Sequence, residues 1–427
     1  MSEQIPEGWK KIKLGEVGKF STSSVDKKSS IDEQEVFLLN YMDVYNHSIL
    51  RGNYPFQRVT APTKQISSSS VQQGDVFFTP SSETPDDVGH SAVFIGDKQN
   101  LVHSYHTVRF RPSSDVYLDD EFKSYAFKGA KTYEHFRIRA TGSTRFTVSL
   151  PVFNDLEITI PPLPEQKKIA SILTSVDEVI ETTKKQIDKL QDLKKAMMNE
   201  LLTKGIGHTE FKDSELGRIP KSWEVKKLES LINLLTDFEA NGSFADVKAN
   251  VKVYDHFEFA WYVRATDLEN NTPLSKVKYV DELTYNFLRK TQLSDEEILI
   301  AKRGEIGKVY FYRNRGLPAT AAPNTYLLRL NELCDPFYLF CYLTSTDGVK
   351  RLKQINASTT IGALYKNDVK SFKILVPSKE EQQQISKIIL SFDDKLKNCE
   401  AKIAQTQALK KSLMQDLLTG KVRVQVN

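Results

Sequence analysis

Residues 201–228 read LLTKGIGHTEFKDSELGRIPKSWEVKKL, a stretch in which one segment ends and another begins. Its closing part repeats the opening of the chain at a constant shift of 214 positions. The repeated residues are Ile5, Pro6, Trp9 and Leu14, which return as Ile219, Pro220, Trp223 and Leu228. The Leu-Leu-Thr at 201–203 returns at 417–419, close to the last residue. The stretch therefore predicts that the chain is an internal two-fold repeat.

A longer match supports the repeat and predicts two long helices. Residues 166–206 align without a gap onto residues 382–422, at a shift of 216 positions. In both copies apolar or small residues recur in alternating steps of four and three, which is the spacing of a coiled-coil seam. The predicted helix-pairing residues are Ile169, Leu173, Val176, Ile180, Ile187, Ile385, Ile389, Phe392, Leu396 and Ile403.

The start of each predicted helix and the lysines on its seam bear on where the helices begin and how they pack. Each predicted helix follows a proline, Pro164 or Pro377, and contains no internal proline. The matched seams favour packing of the two helices on each other, with packing of each helix on its own domain as the alternative. Lys194 and Lys410 fall on the seam, where a charge either fixes the register or interrupts the core.

The segments before the helices have a different pattern. Short runs rich in Val, Ile, Phe and Tyr alternate with Gly, Pro, Asp and Ser turns, as in VFLLNYM at 36–42. We therefore expect an α+β fold. The expected parts are strand-rich domains at 1–163 and 207–376, a central long helix at 164–206, and a C-terminal long helix with its tail at 377–427.

Composition restricts the class of protein. The chain has 427 residues, 27% of them charged and 40% hydrophobic, which is typical of a soluble protein with two or more domains. No run approaches the roughly 18 apolar residues of a membrane helix, and a cytoplasmic location is expected. Cys334, Cys341 and Cys399 lack metal-type spacing, and their odd number argues against a disulfide framework. The net charge of +4 is compatible with nucleic-acid binding but does not by itself indicate it.

The chain resembles the specificity subunit of type I DNA restriction-modification systems. The resemblance rests on the two IPxxW openings, the PLPEQ motif at 162–166, the repeated long helix and the ending LLTGKVRV. It covers essentially the whole sequence. The second helix begins after VPSKEEQQQ in place of PLPEQ, with Pro377 and Gln382 as the nearest equivalents of the first motif.

The resemblance implies a fold, a function and a set of partners. It implies two target recognition domains, each binding half of a split asymmetric DNA site, with the long helices packed antiparallel as a spacer. It also implies two adenine-methyltransferase subunits and, in the full complex, motor-nuclease subunits. S-adenosylmethionine, ATP and Mg²⁺ are then expected on those partners, and no cofactor on this chain.

The residues themselves predict a non-catalytic chain. Pro161-Pro162 lies between apolar residues and cannot form the polar-Pro-Pro-aromatic segment with which amino-methyltransferases hold a flipped base. The glycine cluster at 303–308 lacks the Ser or Thr of a phosphate-binding loop. His103 and His106 have no third metal ligand nearby in sequence. A self-contained restriction-methylase enzyme and a protein-binding coiled-coil scaffold without DNA specificity are the alternatives.

Candidate DNA contacts lie in polar loops that follow apolar strands at matching places of the two halves. In the first half they are Asn40, Thr79, Ser81, Ser82, Ser143, Thr144 and Arg145. In the second half they are Arg264, Lys302, Arg303, Lys308, Ser358, Thr359 and Thr360. The alternative for the Ser and Thr residues is turn formation or helix capping, and for Arg264 an internal salt bridge to Asp267.

Overall fold

The structure is a computed structural model that describes residues 5–113, 117–303, 307–355 and 364–426. It divides into two compact units, a first unit of residues 1–185 with 400–427 and a second unit of residues 186–399. The division passes through both long helices and differs from the four predicted parts. The reason is that each unit contains a strand-rich domain together with a segment of each long helix, and these segments share its core.

The first unit is built on a five-stranded and a three-stranded sheet, with the orders β2-β10-β6-β8-β4 and β5-β3-β9. Its strands are β1 (Lys10–Lys13), β2 (Gly18–Thr22), β3 (Gln34–Leu39), β4 (Ile49–Arg51), β5 (Gln57–Ala61), β6 (Val76–Phe78), β7 (Ser81–Ser82), β8 (Ser91–Ile95), β9 (Leu101–His103), β10 (Val108–Pro112), β11 (Phe146–Thr147) and β12 (Glu157–Ile160). Its short helices are α1 (Leu14–Val17), α2 (Tyr41–Asn46), α3 (Thr63–Ser69), α4 (Asp120–Ala126), α5 (Ala130–Arg137) and α6 (Leu150–Asn154).

A group of phenylalanine rings forms much of the core of the first unit. Phe20 lies 4.8 Å from Phe110, and Phe136 lies 4.9 Å from Phe153, measured between ring centroids. These residues come from strands β2 and β10 and from helices α5 and α6. Phe20 also lies 5.6 Å from Phe153, so aromatic packing joins the larger sheet to the helices beside it. The first long helix, α7 (Leu163–Lys204), begins after β12 and places Ile169 in the same core.

The second unit has two four-stranded sheets, with the orders β16-β23-β20-β21 and β17-β19-β18-β22. Its strands are β13 (Phe211–Ser214), β14 (Gly217–Pro220), β15 (Glu224–Lys227), β16 (Ile232–Asp237), β17 (Val253–Tyr254), β18 (Ala260–Val263), β19 (Lys278–Val280), β20 (Ile298–Ala301), β21 (Val309–Phe311), β22 (Ala319–Ala321), β23 (Thr325–Leu330) and β24 (Lys373–Val376). Its helices are α8 (Phe244–Asn250), α9 (Ala265–Glu269), α10 (Glu282–Phe287), α11 (Pro336–Thr344), α12 (Thr346–Ile355), α13 (Lys366–Ser371) and the second long helix α14 (Lys379–Leu418).

The strand pairs next to the long helices repeat in the two units. In the first unit β1 pairs antiparallel with β12, with Lys10 opposite Ile160. In the second unit β15 pairs antiparallel with β24, with Glu224 opposite Val376. These positions differ by the 214 and 216 residues of the sequence repeat. The repeat inferred from the sequence is therefore also a repeat of strand pairing.

The two long helices pack on each other inside each unit. In the first unit Leu417, near the end of α14, shares a core with Ile169 and Leu173, near the start of α7. In the second unit Leu201, near the end of α7, shares a core with Ile385, near the start of α14. In both units the helix segments therefore run antiparallel, and the expected α+β fold with paired helices is confirmed. The alternative, in which each helix packs on its own domain alone, is wrong.

Each of the two seam lysines forms an ion pair with the facing long helix, one in each unit. In the first unit Lys410 Nζ lies 2.6 Å from Asp177 Oδ1. In the second unit Lys194 pairs with Asp393. Both members of the second pair are related to the first by a shift of 216 residues. The two lysines thus meet carboxylates on the facing helix, which supports the interpretation that they fix the register.

The predicted seam residues are buried or half-buried. The buried ones are Ile169, Leu173, Ile180, Ile385 and Ile389. The half-buried ones are Val176, Ile187, Phe392, Leu396 and Ile403. By contrast, Leu193 and Leu409 on α7 and α14 lie off the seam and are about half exposed.

A buried glutamine begins each long helix. Gln166 Nε2 donates to the carbonyl oxygens of Tyr117 at 3.0 Å and Pro161 at 2.9 Å, and its Oε1 accepts from the Asp119 backbone at 2.8 Å. The same three hydrogen bonds recur 216 positions later. They join Gln382 to Leu333, Pro377 and Asp335 at 3.1, 3.0 and 2.7 Å. The VPSKEEQQQ segment therefore preserves this contact, although its sequence departs from PLPEQ.

A glutamate beside each glutamine ties the end of the other long helix to the domain. Glu165 accepts a hydrogen bond of 3.1 Å from Trp9 Nε1 and forms an ion pair with Arg423, which follows α14. The corresponding residues in the second unit are Glu381, Trp223 and His208. The repeated tryptophan is thus explained by its indole N–H, which needs a buried acceptor.

Candidate nucleic-acid interface

In the first unit the predicted loops meet next to the short strand β7. Ser81 and Ser82 form β7, which pairs with β11 so that Phe146 lies opposite Ser82. Arg145, just before β11, donates from Nε to Ser81 Oγ at 3.1 Å. Tyr41, the first residue of α2, donates from its hydroxyl to the Ser81 carbonyl oxygen at 3.0 Å. The structure therefore brings together candidates that are 64 residues apart in the sequence.

The carboxylate of Asp87 accepts hydrogen bonds from several polar side chains next to β7. Asp87 accepts hydrogen bonds from Ser82 Oγ and His90 Nε2, both at 2.9 Å, and from the Tyr45 hydroxyl at 3.2 Å. Burial acts to raise the pKa of the Asp87 carboxyl, but the hydrogen bonds from His90 and Ser82 outweigh it and lower the pKa below its usual value. Asp87 therefore carries a fixed negative charge at neutral pH.

Aromatic rings line the same surface. The ring centroids of Tyr45 and His90 lie 4.5 Å apart, and Tyr41 stacks on Tyr45 at 6.0 Å. The charge of Asp87 raises the pKa of Tyr45, so its hydroxyl stays protonated and able to donate. Tyr45, Asp87 and His90 are not among the residues predicted from the sequence. The only local signal was the spacing of Asp87 and His90, which lets two loop side chains bond to each other.

Asn40 and Thr79 serve structural roles in this conformation. Asn40 is buried and caps α2, with its backbone N–H donating to Asp43 Oδ2 at 2.8 Å. Thr79 is fully buried, and its hydroxyl accepts from the His90 backbone N–H at 3.0 Å. For both residues the structure corrects the predicted DNA contact, because the side chain is inaccessible and already hydrogen-bonded within the protein.

Ser143 and Thr144 lie exposed in the turn before Arg145. This turn depends on Gly142, whose backbone has a φ of +141°. A Cβ at this position would come within 2.0 Å of the Arg145 carbonyl oxygen, so only glycine fits. Ser143, Thr144 and Arg145 remain predicted contacts on an accessible loop.

In the second unit most of the predicted basic residues are paired with carboxylates. Arg264 donates to both carboxylate oxygens of Asp267, at 2.9 and 2.7 Å, so the internal salt bridge is the arrangement observed. Lys308 Nζ lies 2.6 Å from Glu269 Oε1. Since Glu269 ends α9 and Lys308 directly precedes β21, this pair joins α9 to β21, much as Tyr41 joins α2 to β7.

Lys302 is not accessible as predicted. It is only 7% exposed and forms ion pairs with Asp237, at 3.3 Å, and with Glu239. A direct phosphate or base contact is incompatible with this position, because the ammonium is enclosed by two carboxylates. The next residue, Arg303, is exposed. Ser358, Thr359 and Thr360 lie outside the described residues.

The described residues hold no cluster of three or more His, Cys, Asp or Glu side chains able to bind a metal ion. His103 is fully buried with its Nδ1 3.0 Å from Thr107 Oγ1, and burial lowers its pKa to about 3. Cys334 and Cys341 are buried, and burial raises the pKa of each thiol to about 12.

Within the part of the chain that the structure covers, no helix has the length and apolar character needed to cross a membrane.

Comparison with known proteins gives a consistent family. The sequence pattern of the type I restriction modification DNA specificity domain matches this chain twice, at residues 6–192 and 220–407. The chain is 27% identical over 436 residues to the type I restriction enzyme MjaVIII specificity subunit of Methanocaldococcus jannaschii. That alignment covers 99% of this chain and 94% of the relative.

Solved structures share the fold. The HsdS subunit from Thermoanaerobacter tengcongensis has a TM-score of 0.54 at 15% identity, with 99% of each chain covered. A chain from a solved type I restriction-modification system has a TM-score of 0.61 at 14% identity, covering 98% of this chain and 100% of the other. At these identities the likeness establishes the fold alone. Since the domain pattern matches both halves and spans most of the sequence, the chain belongs to the type I restriction modification DNA specificity family.

Proposed function

We propose that this chain recognises a bipartite, asymmetric DNA sequence, with one half-site bound by each strand-rich domain. The observation that carries the proposal is a repeated framework with different loops. The framework is the buried glutamine at the start of each long helix and the tryptophan bonded to the neighbouring glutamate. The loops differ, with Ser, Tyr, His and Asp around Arg145 in one unit and ion-paired Arg and Lys in the other. Two similar folds with different surfaces are suited to two different half-sites.

The proposal includes the partners. The chain would direct two adenine-methyltransferase subunits to the site, and motor-nuclease subunits in the full complex, all in the cytoplasm. S-adenosylmethionine, ATP and Mg²⁺ would act on those subunits, and this chain would contribute recognition without catalysis. The sequence supports this division, because it lacks the base-clamping and phosphate-binding motifs that those reactions need.

Reconstitution with the methyltransferase tests the function. The complex should methylate adenines within one split sequence, and mapping the modified bases should return two unlike half-sites. Turnover by this chain alone with S-adenosylmethionine and Mg²⁺ would instead support a self-contained enzyme. A complex that assembles but retains all DNA sequences equally would identify the chain as a scaffold.

In the second unit, Arg303→Ala is expected to weaken binding to the second half-site and spare the first. Arg303 is exposed directly after buried Lys302, and losing a bidentate contact from arginine to a base costs about 1–3 kcal/mol. Competition binding against single-base variants of both half-sites measures the effect. Arg313→Ala is the matched control, because Arg313 lies at the other end of the β20–β21 pair. Equal affinity of Arg303→Ala and the original protein for every variant would reject the assignment.

A further inference from the structure

The guanidinium of Arg145 is held differently from three of the other basic candidates. Arg264, Lys302 and Lys308 are each paired with at least one carboxylate. Arg145 is exposed and donates from Nε to a neutral hydroxyl, that of Ser81, at 3.1 Å. Among the described residues its two terminal amino groups have no acceptor. Its charge is therefore available to a ligand, whereas the charges of Arg264, Lys302 and Lys308 are compensated within the protein.

The support beneath Arg145 fixes the direction of the side chain. Ser81 is nearly buried, and its carbonyl oxygen accepts from the Tyr41 hydroxyl at 3.0 Å. The loop is closed by pairing of β7 with β11 and by a hydrogen bond of 2.8 Å from the Val148 N–H to the Pro80 carbonyl. Because Nε is already bonded, the two terminal amino groups are the donors of the guanidinium that can bind a ligand. An arginine oriented in this way loses little side-chain entropy on binding.

The ligand chemistry follows from this geometry and from the neighbouring charge. Two parallel N–H donors match the O6 and N7 acceptors of guanine in the major groove. A phosphate would accept the same donors, but Asp87, which is bonded to Ser82, and Arg145 both act electrostatically on the Tyr41 hydroxyl, and a negative charge on this surface disfavours a phosphate. A base edge is uncharged and is not repelled in this way.

We propose that Arg145 is the specificity-determining residue for a guanine in the first half-site and that Ser81 positions its guanidinium. This assignment rests on the proposed function, since it presumes that the first unit binds DNA in the major groove. The contact would join the terminal amino groups of Arg145 to O6 and N7 of one guanine.

The test uses the full chain in complex with its methyltransferase partner and duplexes carrying every single-base-pair change in the first half-site. Arg145→Ala is expected to lose discrimination at one G·C pair, by roughly 10- to 100-fold in relative affinity, and to keep it at all other positions. Replacing that guanine by 7-deazaguanine, which lacks the N7 acceptor, should weaken the original protein and leave Arg145→Ala unaffected. Arg145→Lys should restore discrimination only in part, because an ammonium can donate to O6 or N7 but lacks the two parallel N–H groups of a guanidinium.

Two further variants make the result specific. Ser81→Ala should reduce discrimination at the same base pair by a smaller factor, since Arg145 stays present but is less well oriented. Arg139→Ala, which removes an exposed arginine six residues earlier, should leave the preference unchanged. Discrimination at the remaining base pairs of the first half-site reports that the first unit of each variant is folded.

Other outcomes overturn the inference in distinguishable ways. Weaker binding of Arg145→Ala to all sequences, with a salt dependence lower by about one phosphate contact, would show a phosphate ligand. Unchanged discrimination by Arg145→Ala would remove this residue from recognition. If the original complex itself shows no preference in either half-site, the proposed function fails, and the assignment of Arg145 fails with it.

Discussion

A fragment comprising residues 1–206 is expected to form a homodimer and, with methyltransferase partners, to methylate a palindromic split site. The fragment lacks residues 400–427, which in the intact first unit place Leu417 against Ile169 and Lys410 beside Asp177. Without them an apolar stripe on α7 is exposed to water, which favours association. The missing segment has a near-copy 216 positions earlier, in which Lys194 corresponds to Lys410. A second fragment related by a two-fold axis can supply that copy.

Sedimentation velocity and methylation mapping measure the two parts of this prediction. In the dimer Asp177 of each copy should face Lys194 of the other copy. Asp177→Lys should therefore weaken the dimer, because it places two lysines opposite each other at both of these contacts. These groups are partly exposed, so solvent screening limits the effect to roughly tenfold in the dissociation constant. Asp177→Lys combined with Lys194→Asp should restore the dimer. Asp188→Lys, an equal charge change at an exposed helix position, is the control. A monomeric fragment, or a mapped site that keeps the asymmetric second half, contradicts the prediction.

Gln382→Leu is expected to destabilise the second unit by roughly 3–5 kcal/mol. The substitution leaves the Asp335 N–H and the carbonyl oxygens of Leu333 and Pro377 without their partner. The bond to Pro377 is buried and the other two are partly buried, and an unpaired buried group costs about 1–3 kcal/mol. For a unit of this size the midpoint of thermal unfolding should fall by about 6–20 °C. Hydrogen exchange of the Asp335 amide should accelerate, which reports the lost contact directly.

The neighbouring residue provides the matched control for that experiment. Gln383 is exposed on the same turn of α14, so Gln383→Leu should change the midpoint by only a degree or two. Gln166→Leu should reproduce the large loss in the first unit, because Gln166 makes the same three hydrogen bonds. If Gln382→Leu and Gln383→Leu unfold alike, the buried glutamine does not stabilise the start of the helix.

Much of the fold could be predicted because its signals are local or repeated. The steps of four and three that include Ile169 and Ile385 are properties of a helix and need no knowledge of the rest of the chain. The repeat extended further than the sequence showed. The contacts of Gln166 with Tyr117 and Asp119 recur in the second unit although the side chains at the matching positions are only partly alike, because the bonds run to backbone atoms.

The candidate site was predicted only in outline. Arg145 and Ser81 were separate candidates in the sequence, and their contact depends on the pairing of β7 with β11. Asp87 and His90 were missed, because an acidic residue and a histidine in a polar loop are ordinarily exposed to solvent. Thr79 was chosen for its place after an apolar strand, but the polypeptide folds back so that its hydroxyl bonds to the His90 backbone.

The sequence by itself determined the doubled organisation, the two long paired helices and the family, because repeated spacing and short motifs depend only on the order of residues along the chain. The tertiary structure alone decided which polar groups are accessible. Arg264, Lys302 and Lys308 are as basic as Arg145 in the sequence, yet carboxylates of the folded chain neutralise them. Charge pairing depends on distance in space, and residues such as Asp237 and Lys302 come within an ion-pair distance only when strands β16 and β20 join the same sheet.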